Sequence, residues 1–174
     1  FAGITSISQT FLPAMLQSEG LDIGTTSTIL SIAVLFEMPL IFFSNKFMDK
    51  ISTKTLILIC WSMIIVQFIA YGFHLPMILQ IFTLLVKHPS GMLFIMINVK
   101  AVSSVVDQQN QVTALAFVQT ARNLMSVLLQ NGAGALLDNI GYASLFQILL
   151  IPCILAMIFT YLVKLPVSTK KTFG

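Results

Sequence analysis

Apolar runs, each about as long as a lipid bilayer is thick when helical, follow one another along this chain with short polar connections. We predict membrane-spanning segments at residues 1–17, 27–44, 55–72, 77–99, 112–137 and 142–163. Because 57% of the 174 residues are hydrophobic and 9% are charged, the chain has too little polar surface to enclose a water-soluble domain. The fold class expected is therefore an all-α membrane protein, with one bundle of six transmembrane helices over residues 1–174.

Charged residues in the connections alternate between the two sides of this predicted bundle. Acidic residues follow the first and fifth segments: Glu19, Asp22 and Asp138. Basic residues follow the second, fourth and sixth segments: Lys46, Lys50, Lys54, Lys100, Lys164, Lys170 and Lys171. Cytoplasmic connections of membrane proteins carry an excess of Lys and Arg. The pattern thus predicts an integral membrane protein with both ends of this segment in the cytoplasm.

Several function classes are disfavoured by composition. A net charge of +3, dispersed along the chain, does not form the clustered basic face of a nucleic-acid-binding protein. Cys60 and Cys153 lie in apolar runs without the spacing of a metal site or a disulfide scaffold. His88 has no Ser, Cys or metal partner in a recognisable catalytic motif. We therefore expect no nucleic-acid partner, no metal, no cofactor and no enzymatic activity.

Four titratable side chains lie within the predicted segments, where a charge costs about 2.5–3.5 kcal/mol on insertion scales. They are Glu37, Lys87, His88 and Arg122. Such groups usually face protein or a water-filled cavity, and a carboxylate in low dielectric can exchange a proton near neutral pH. We predict that these four residues couple to protons or contact a solute. The alternative is structural, with ion pairs that fix helix packing and a hydrogen-bonded packing role for His88.

Polar side chains recur at helical spacing in three segments. The stripes comprise Gln119, Arg122, Asn123, Ser126 and Gln130 in the fifth segment, Gln80, Thr83, Lys87, Gly91 and Asn98 in the fourth, and Ser6, Gln9, Thr10, Pro13 and Gln17 in the first. Such stripes predict faces that line an interior path, or hydrogen bonds between helices. The solute-lining candidates are Ser6, Gln9, Gln80, Asn98, Gln119, Asn123 and Ser126. The third and sixth segments are almost uniformly apolar, so we expect them to contact mostly lipid.

Prolines within the segments predict interrupted helices. Pro13 and Pro89 lie in the first and fourth segments, which correspond if the chain is two triplets of helices, and Pro39 lies two residues after Glu37. Each proline removes a backbone hydrogen bond and frees a carbonyl. Matching broken helices are typical of transporters built from inverted repeats.

Three stretches resemble the major facilitator superfamily: Phe-Glu-Met-Pro at residues 36–39, the basic loop at residues 45–54 and the glycine-rich run at residues 132–141. The whole chain is similar to the C-terminal half of a twelve-helix member, with two inverted three-helix repeats. The Glu-Met-Pro step resembles the Glu-Ile-Pro of bacterial sugar efflux proteins. Residues 119–127 are similar to a stretch of the lactose-permease-like sugar–proton symporters.

This resemblance implies a secondary active transporter of a small polar solute, with a sugar favoured, that works by alternating access with proton coupling. It implies a bacterial cell membrane and the N-terminal six-helix half as a partner. Glu37 matches an acid that contributes to sugar binding and coupling in proton-coupled members. In the loop, Asp49 and Lys50 fit the Asp-Arg pair of the family signature and Lys54 extends its basic run, but Asn45 and Ser52 replace its glycines.

Two alternatives remain open at this point. One is a drug or metabolite efflux transporter of the same superfamily. The other is a self-contained six-helix channel or structural membrane bundle.

Overall fold

The computed structural model describes residues 1–163 as helices joined by short turns, with no β-strand in that range. The helices are α1 Ala2–Ser18, α2 Ile23–Leu35, α3 Glu37–Phe42, α4 Ser44–Phe47, α5 Thr53–Gly72, α6 Met77–Lys87, α7 Pro89–Val105 and α8 Gln111–Leu162, and a 3-10 turn Gln108–Asn110 precedes α8. The predicted basic residues Lys164, Lys170 and Lys171, and the side chain of Asn45, lie outside the described residues.

Four stretches of the described chain are long and apolar enough to cross a membrane. They are Ile23–Phe42, Thr53–Gly72, Met77–Val105 and Gln108–Leu162. Helix α1 is shorter, at 17 residues. At 1.5 Å per residue, α8 would extend for about 80 Å, more than twice the thickness of the hydrocarbon core. The all-helical membrane fold is confirmed. Helix α8 is too long for a single membrane crossing, so we expect a break within it.

Gly141 divides α8. Its backbone has φ 76° and ψ 171°, a conformation outside the helical region that is essentially restricted to glycine. Residues 111–140 form one helix, which we call α8a, and residues 142–162 form a second, α8b.

Contacts on the two sides of Gly141 show that the chain reverses direction there. Near its start α1 lies against Met125 and Leu129 of α8a, and further along it lies against Gly134, so α1 and α8a are parallel. Helix α5 is parallel to α1, because Phe1 contacts Trp61 and Ser8 contacts Gln67. Yet α5 is antiparallel to α8b: its first turn reaches Tyr161 and its last turn reaches Gln147.

Two helix interruptions occur beside prolines. Helix α2 ends at Leu35 and α3 begins at Glu37, two residues before Pro39. Helix α6 ends at Lys87 and α7 begins with Pro89. Pro13, by contrast, lies inside a continuous α1, so the expected interruption at this residue is wrong. Neighbouring turns of α1 keep their hydrogen bonds, as membrane helices commonly do around a proline.

Helix α5 is the most buried of the four stretches long enough to cross a membrane, which corrects the expectation that the third segment contacts mostly lipid. Half of the residues in its most apolar stretch are buried, against 11% for the corresponding stretch of Ile23–Phe42. It packs against α6, α7 and α8, and it contacts α1 through the Ser8–Gln67 hydrogen bond. Because lipid tails are as apolar as leucine, a uniformly apolar helix can face either lipid or protein, and composition does not distinguish the two.

Lysines hold one end of the bundle together. Lys100, near the end of α7 and only 4% exposed, donates to the carbonyls of Met48 and of Ile51, the latter at 3.1 Å. Lys54, in the first turn of α5, donates to the carbonyl of Tyr161 at the end of α8b. Cations are favoured beside unpaired carbonyls at helix ends. The basic loop, the end of α7 and the end of α8b therefore lie at the same end.

The opposite end carries acidic residues. Glu19 and Asp22 lie in the turn between α1 and α2, and His74 Nδ1 is 3.6 Å from Glu19 Oε1. Asp22 caps α2 by accepting a hydrogen bond from the Thr25 amide at 3.0 Å. Together with a side-chain hydrogen bond from Thr25, which is the larger cause, this holds the pKa of Asp22 below its ordinary value.

Replacing Gly141 with alanine should destabilise the bundle by about 1–3 kcal/mol, because a Cβ is strained at positive φ. Gly132→Ala is the matched control: both positions have open space around a new Cβ, but Gly132 has no positive φ. Thermal unfolding of the full-length protein in detergent measures both. Equal unfolding temperatures for the two variants would show that the backbone at Gly141 imposes no constraint.

Candidate functional site

Glu37 and His88 meet where the two helices are interrupted. His88 Nδ1 lies 2.9 Å from Glu37 Oε1, without the alignment of a hydrogen bond. Glu37 is the first residue of α3 and His88 is the junction between α6 and α7, and α3 packs against α7. The side chains are 24% and 15% exposed, so the pair is partly open. The structure therefore brings together two of the four titratable residues singled out in the sequence.

Lys87 lies beside this pair and is 3% exposed. Glu37 is the acidic group whose field acts on it. In the described part of the chain, however, no carboxylate lies within ion-pair distance of Lys87 and no hydrogen bond satisfies its ammonium. A buried charge without a partner costs several kcal/mol. Lys87 is thus a cation that forms no ion pair with a carboxylate in the described part of the chain.

The backbone at the two junctions stays helical, with φ −66° and ψ −14° at Phe36 and φ −53° and ψ −44° at His88. Lys87 is the last residue of α6, directly before His88. The site combines one acid, one titratable imidazole and one buried cation.

Polar residues on α8a and α1 form a second group. Gln119 donates to Asn123 at 3.0 Å, and Arg122 Nη1 donates to Gln119 Oε1 at 2.9 Å. Gln130 donates to Thr10 Oγ1 at 3.1 Å and so links α8a to α1. The side chains of Gln9, Gln119 and Asn123 are exposed, whereas Ser126 is half-buried. Part of the stripe predicted on the fifth segment therefore bonds to a neighbouring helix, and part of it is exposed, where it could contact a solute.

Arg122 and Asn98 line a pocket of about 420 Å³, the walls of which are otherwise apolar. Arg122 comes from α8a and Asn98 from α7. An adjoining pocket of about 660 Å³ shares Asn98 and reaches Val106 and Asn110. Neither of these pockets is lined by Glu37 or His88.

Two solute-lining candidates have partners within the protein. Ser6 is half-buried and donates to the carbonyl of Gly3 in its own helix at 2.7 Å. Gln80 is 2% exposed and donates to Glu19 Oε2 and to the carbonyl of Leu75, both at 2.9 Å. The structure places Gln80 in a helix-joining network at the acidic end of the bundle.

Sequence reasoning missed a buried polar connection at the centre. Ser8, fully buried, donates to Gln67 Oε1 at 3.2 Å, and Gln67 donates to the Tyr71 hydroxyl at 3.2 Å. Both Gln67 and Tyr71 lie on α5, which looked uniformly apolar. The single glutamine in that apolar segment was the available signal, because a buried amide requires a partner.

The loop residues of the family-like signature lie at the lysine-bearing end. Lys54 is bonded to Tyr161 as described above, and its ammonium is 5.2 Å from the ring centroid of that residue. Asp49 also interacts with the protein, whereas Lys50 is exposed. Lys100, which the sequence suggested only as a topological marker, organises this loop through its two carbonyl contacts.

Residues 1–163 contain no group of three His, Cys, Asp or Glu side chains placed to hold a metal ion.

Comparison with protein families gives a match over residues 1–174 to the family described as the Major Facilitator Superfamily. Neither the curated proteins nor the solved structures give a match.

Lys87→Met should leave the free energy of unfolding unchanged or raise it, because the variant removes a buried charge that has no partner. Lys100→Met is the matched control, since Lys100 is equally buried but bonded to two carbonyls, and its loss should cost about 1.5–3 kcal/mol. Chemical unfolding in mild detergent compares the two. A loss of about 3–5 kcal/mol in Lys87→Met would identify Lys87 as half of a structural ion pair.

Proposed function

Because the chain belongs to the major facilitator superfamily, whose members move small solutes across the lipid bilayer, we propose that it transports a small polar solute by alternating access. A sugar is our first candidate for the solute. The observation that carries the proposal is the Glu37–His88 contact at the junctions of two interrupted helices. Partly exposed titratable pairs inside a membrane bundle are characteristic of ion and solute pathways.

We assign proton exchange to Glu37 and His88. A proton taken up by Glu37 removes the carboxylate charge that attracts His88, and the contact between α3 and the α6–α7 junction weakens. Since each residue lies at a helix interruption, the protonation state can change how these helices lie against each other. Transport is coupled to protons if the solute binds only one of these arrangements.

The exposed polar side chains on α1 and α8a, which are Gln9, Gln119 and Asn123, are assigned to the hydroxyl groups of the solute. Amide side chains both donate and accept hydrogen bonds, as hydroxyl recognition requires. Within residues 1–163 these three side chains stay exposed. We propose that an N-terminal six-helix half covers them and that the solute passes between the halves.

The six-segment arrangement is also proposed. Counting α1, the three apolar stretches between residues 23 and 105, α8a and α8b gives six membrane segments, arranged as two inverted triplets. The lysine-bearing end would face the cytoplasm and the Glu19–Asp22 end the outside, as the positive-inside rule requires. We propose a bacterial cell membrane as the location, with both ends of this segment cytoplasmic.

A second candidate is export of amphipathic drugs or metabolites. The 660 Å³ pocket favours it, because Val102, Val105 and Phe117 give it largely apolar walls. Solutes with an apolar body gain most from such a surface.

Glu37→Gln should abolish proton-linked uptake while leaving membrane insertion intact, because the amide keeps the shape but exchanges no proton. Vesicles that contain the full-length protein and a pH-sensitive dye report proton movement as sugars and other small solutes are added. Asp138→Asn is the control, since it removes an exposed carboxylate at the end of α8a and should leave the signal unchanged. Uphill uptake that persists in Glu37→Gln would refute the assigned role. A wild-type protein that moves no solute would favour a channel or structural bundle.

Membrane orientation is testable by cysteine labelling. Asp138→Cys should react with a membrane-impermeant maleimide added outside intact cells, whereas Lys50→Cys should react only after permeabilisation, because the proposal puts Lys50 inside. Cys60 and Cys153 are buried, so the background should be low. The reverse labelling pattern would invert the topology.

A further inference from the structure

Arg122 and Asn98, which line one pocket, each carry a buried side-chain nitrogen without a hydrogen-bond partner. Arg122 Nε and Asn98 Nδ2 are buried and have no hydrogen-bond partner, and both residues line the 420 Å³ pocket between α1, α7 and α8a. Both atoms are hydrogen-bond donors. Buried donors are nearly always paired in native proteins, so two of them at one cavity indicate an occupant that supplies acceptors.

The pocket offers donors and positive charge but no acid. Arg122 Nη1 is bonded to Gln119 Oε1, which is neutral, and no carboxylate in the described part lies within ion-pair distance of the guanidinium. The other lining residues are apolar, among them Phe94, Phe117 and Met125. The complementary ligand has an anionic acceptor group on a carbon skeleton that can lie against these side chains.

The charge balance of the bundle points the same way. Within residues 1–163, Glu37 is the acid at the centre, and it contacts His88. Glu37 also acts on Lys87 from beyond ion-pair distance, whereas no carboxylate in the described part lies within ion-pair distance of Arg122. A cation without an acid partner attracts negative charge.

The pocket continues toward the basic end of the bundle. The 660 Å³ pocket shares Asn98, Phe117 and Val118 with it and reaches Val105, at the end of α7, and Asn110, in the turn before α8. Lys100, one helical turn before that end, anchors the basic loop.

We propose that Arg122 and Asn98 form a subsite for the anionic group, a carboxylate or a phosphate, of the transported solute. The inference rests on the proposed transport function and narrows its substrate class from small polar solutes to anionic ones. Arg122 supplies charge and a planar donor edge, and Asn98 supplies a second donor from the facing helix.

The test is equilibrium binding of three probes with one carbon skeleton to the full-length protein in detergent: D-glucuronate, D-glucose 6-phosphate and D-glucose. Ligand-dependent shifts of the unfolding temperature report binding. We expect one anion to bind better than glucose, and Arg122→Gln to weaken that anion about tenfold or more while glucose is unaffected. The anion that responds distinguishes a carboxylate from a phosphate.

Further variants separate the subsite from general effects. Asn98→Leu should also weaken the anion selectively, and Arg122→Lys should retain part of the binding, because a lysine keeps the charge but loses the planar edge. Lys46→Gln removes an exposed positive charge elsewhere and should bind like the wild type. The unfolding temperature of Arg122→Gln without probe verifies that it is folded.

Three results would overturn the subsite: no preference for either anion in the wild type, no binding at all, or equal weakening of glucose and anion in Arg122→Gln. The uptake experiment on Glu37→Gln tests the transport proposal independently of this binding experiment. If proton-linked uptake is lost in Glu37→Gln but Arg122→Gln binds the anion as well as the wild type, the subsite is refuted and the transport proposal stands. If anion binding depends on Arg122 but no solute is moved, the transport proposal fails and the pocket remains an anion site.

Discussion

Hydrogen bonding of the backbone in a medium without water is the constraint on which the rest of this structure depends. An unpaired N–H or C=O in hydrocarbon costs several kcal/mol, so the chain is helical wherever it can be. Interruptions survive only where protein or a wet cavity surrounds them. The two beside Pro39 and Pro89 coincide with Glu37 and His88, so the places where the helices can yield also carry the titratable groups.

Side chains of the same type perform different work in different parts of the bundle. Gln67 and Gln80 are buried and join helices, through Ser8 and Glu19 respectively. Gln9 and Gln119 face outward. The buried lysines differ in the same way, since Lys100 is bonded to two carbonyls and Lys87 has no hydrogen bond in the described part. Buried polar groups without partners are costly, and Arg122 Nε and Asn98 Nδ2 are two such groups that we assign to an anionic solute group.

Much of the architecture could be predicted from the sequence, but the pairings could not. Segment ends at Gly72 and Met77 agree with α5 and α6, because apolar length is a local property. The central position of α5 was missed, since an apolar surface suits lipid and protein equally. The interruption expected at Pro13 is absent, because a proline lowers the cost of a break without requiring one.

The sequence by itself determined the solvent of this protein, its helical class and the identity of its membrane-embedded charges, because hydropathy and charge are properties of single residues. The resemblance in its motifs to the major facilitator superfamily agrees with the family match over residues 1–174. Only the tertiary structure decided that Glu37 contacts His88, that Lys87 lacks an acid in the described part, and that Arg122 shares a pocket with Asn98. These relations join residues about 25 to 50 positions apart, and helical periodicity defines a face without stating which helix lies opposite.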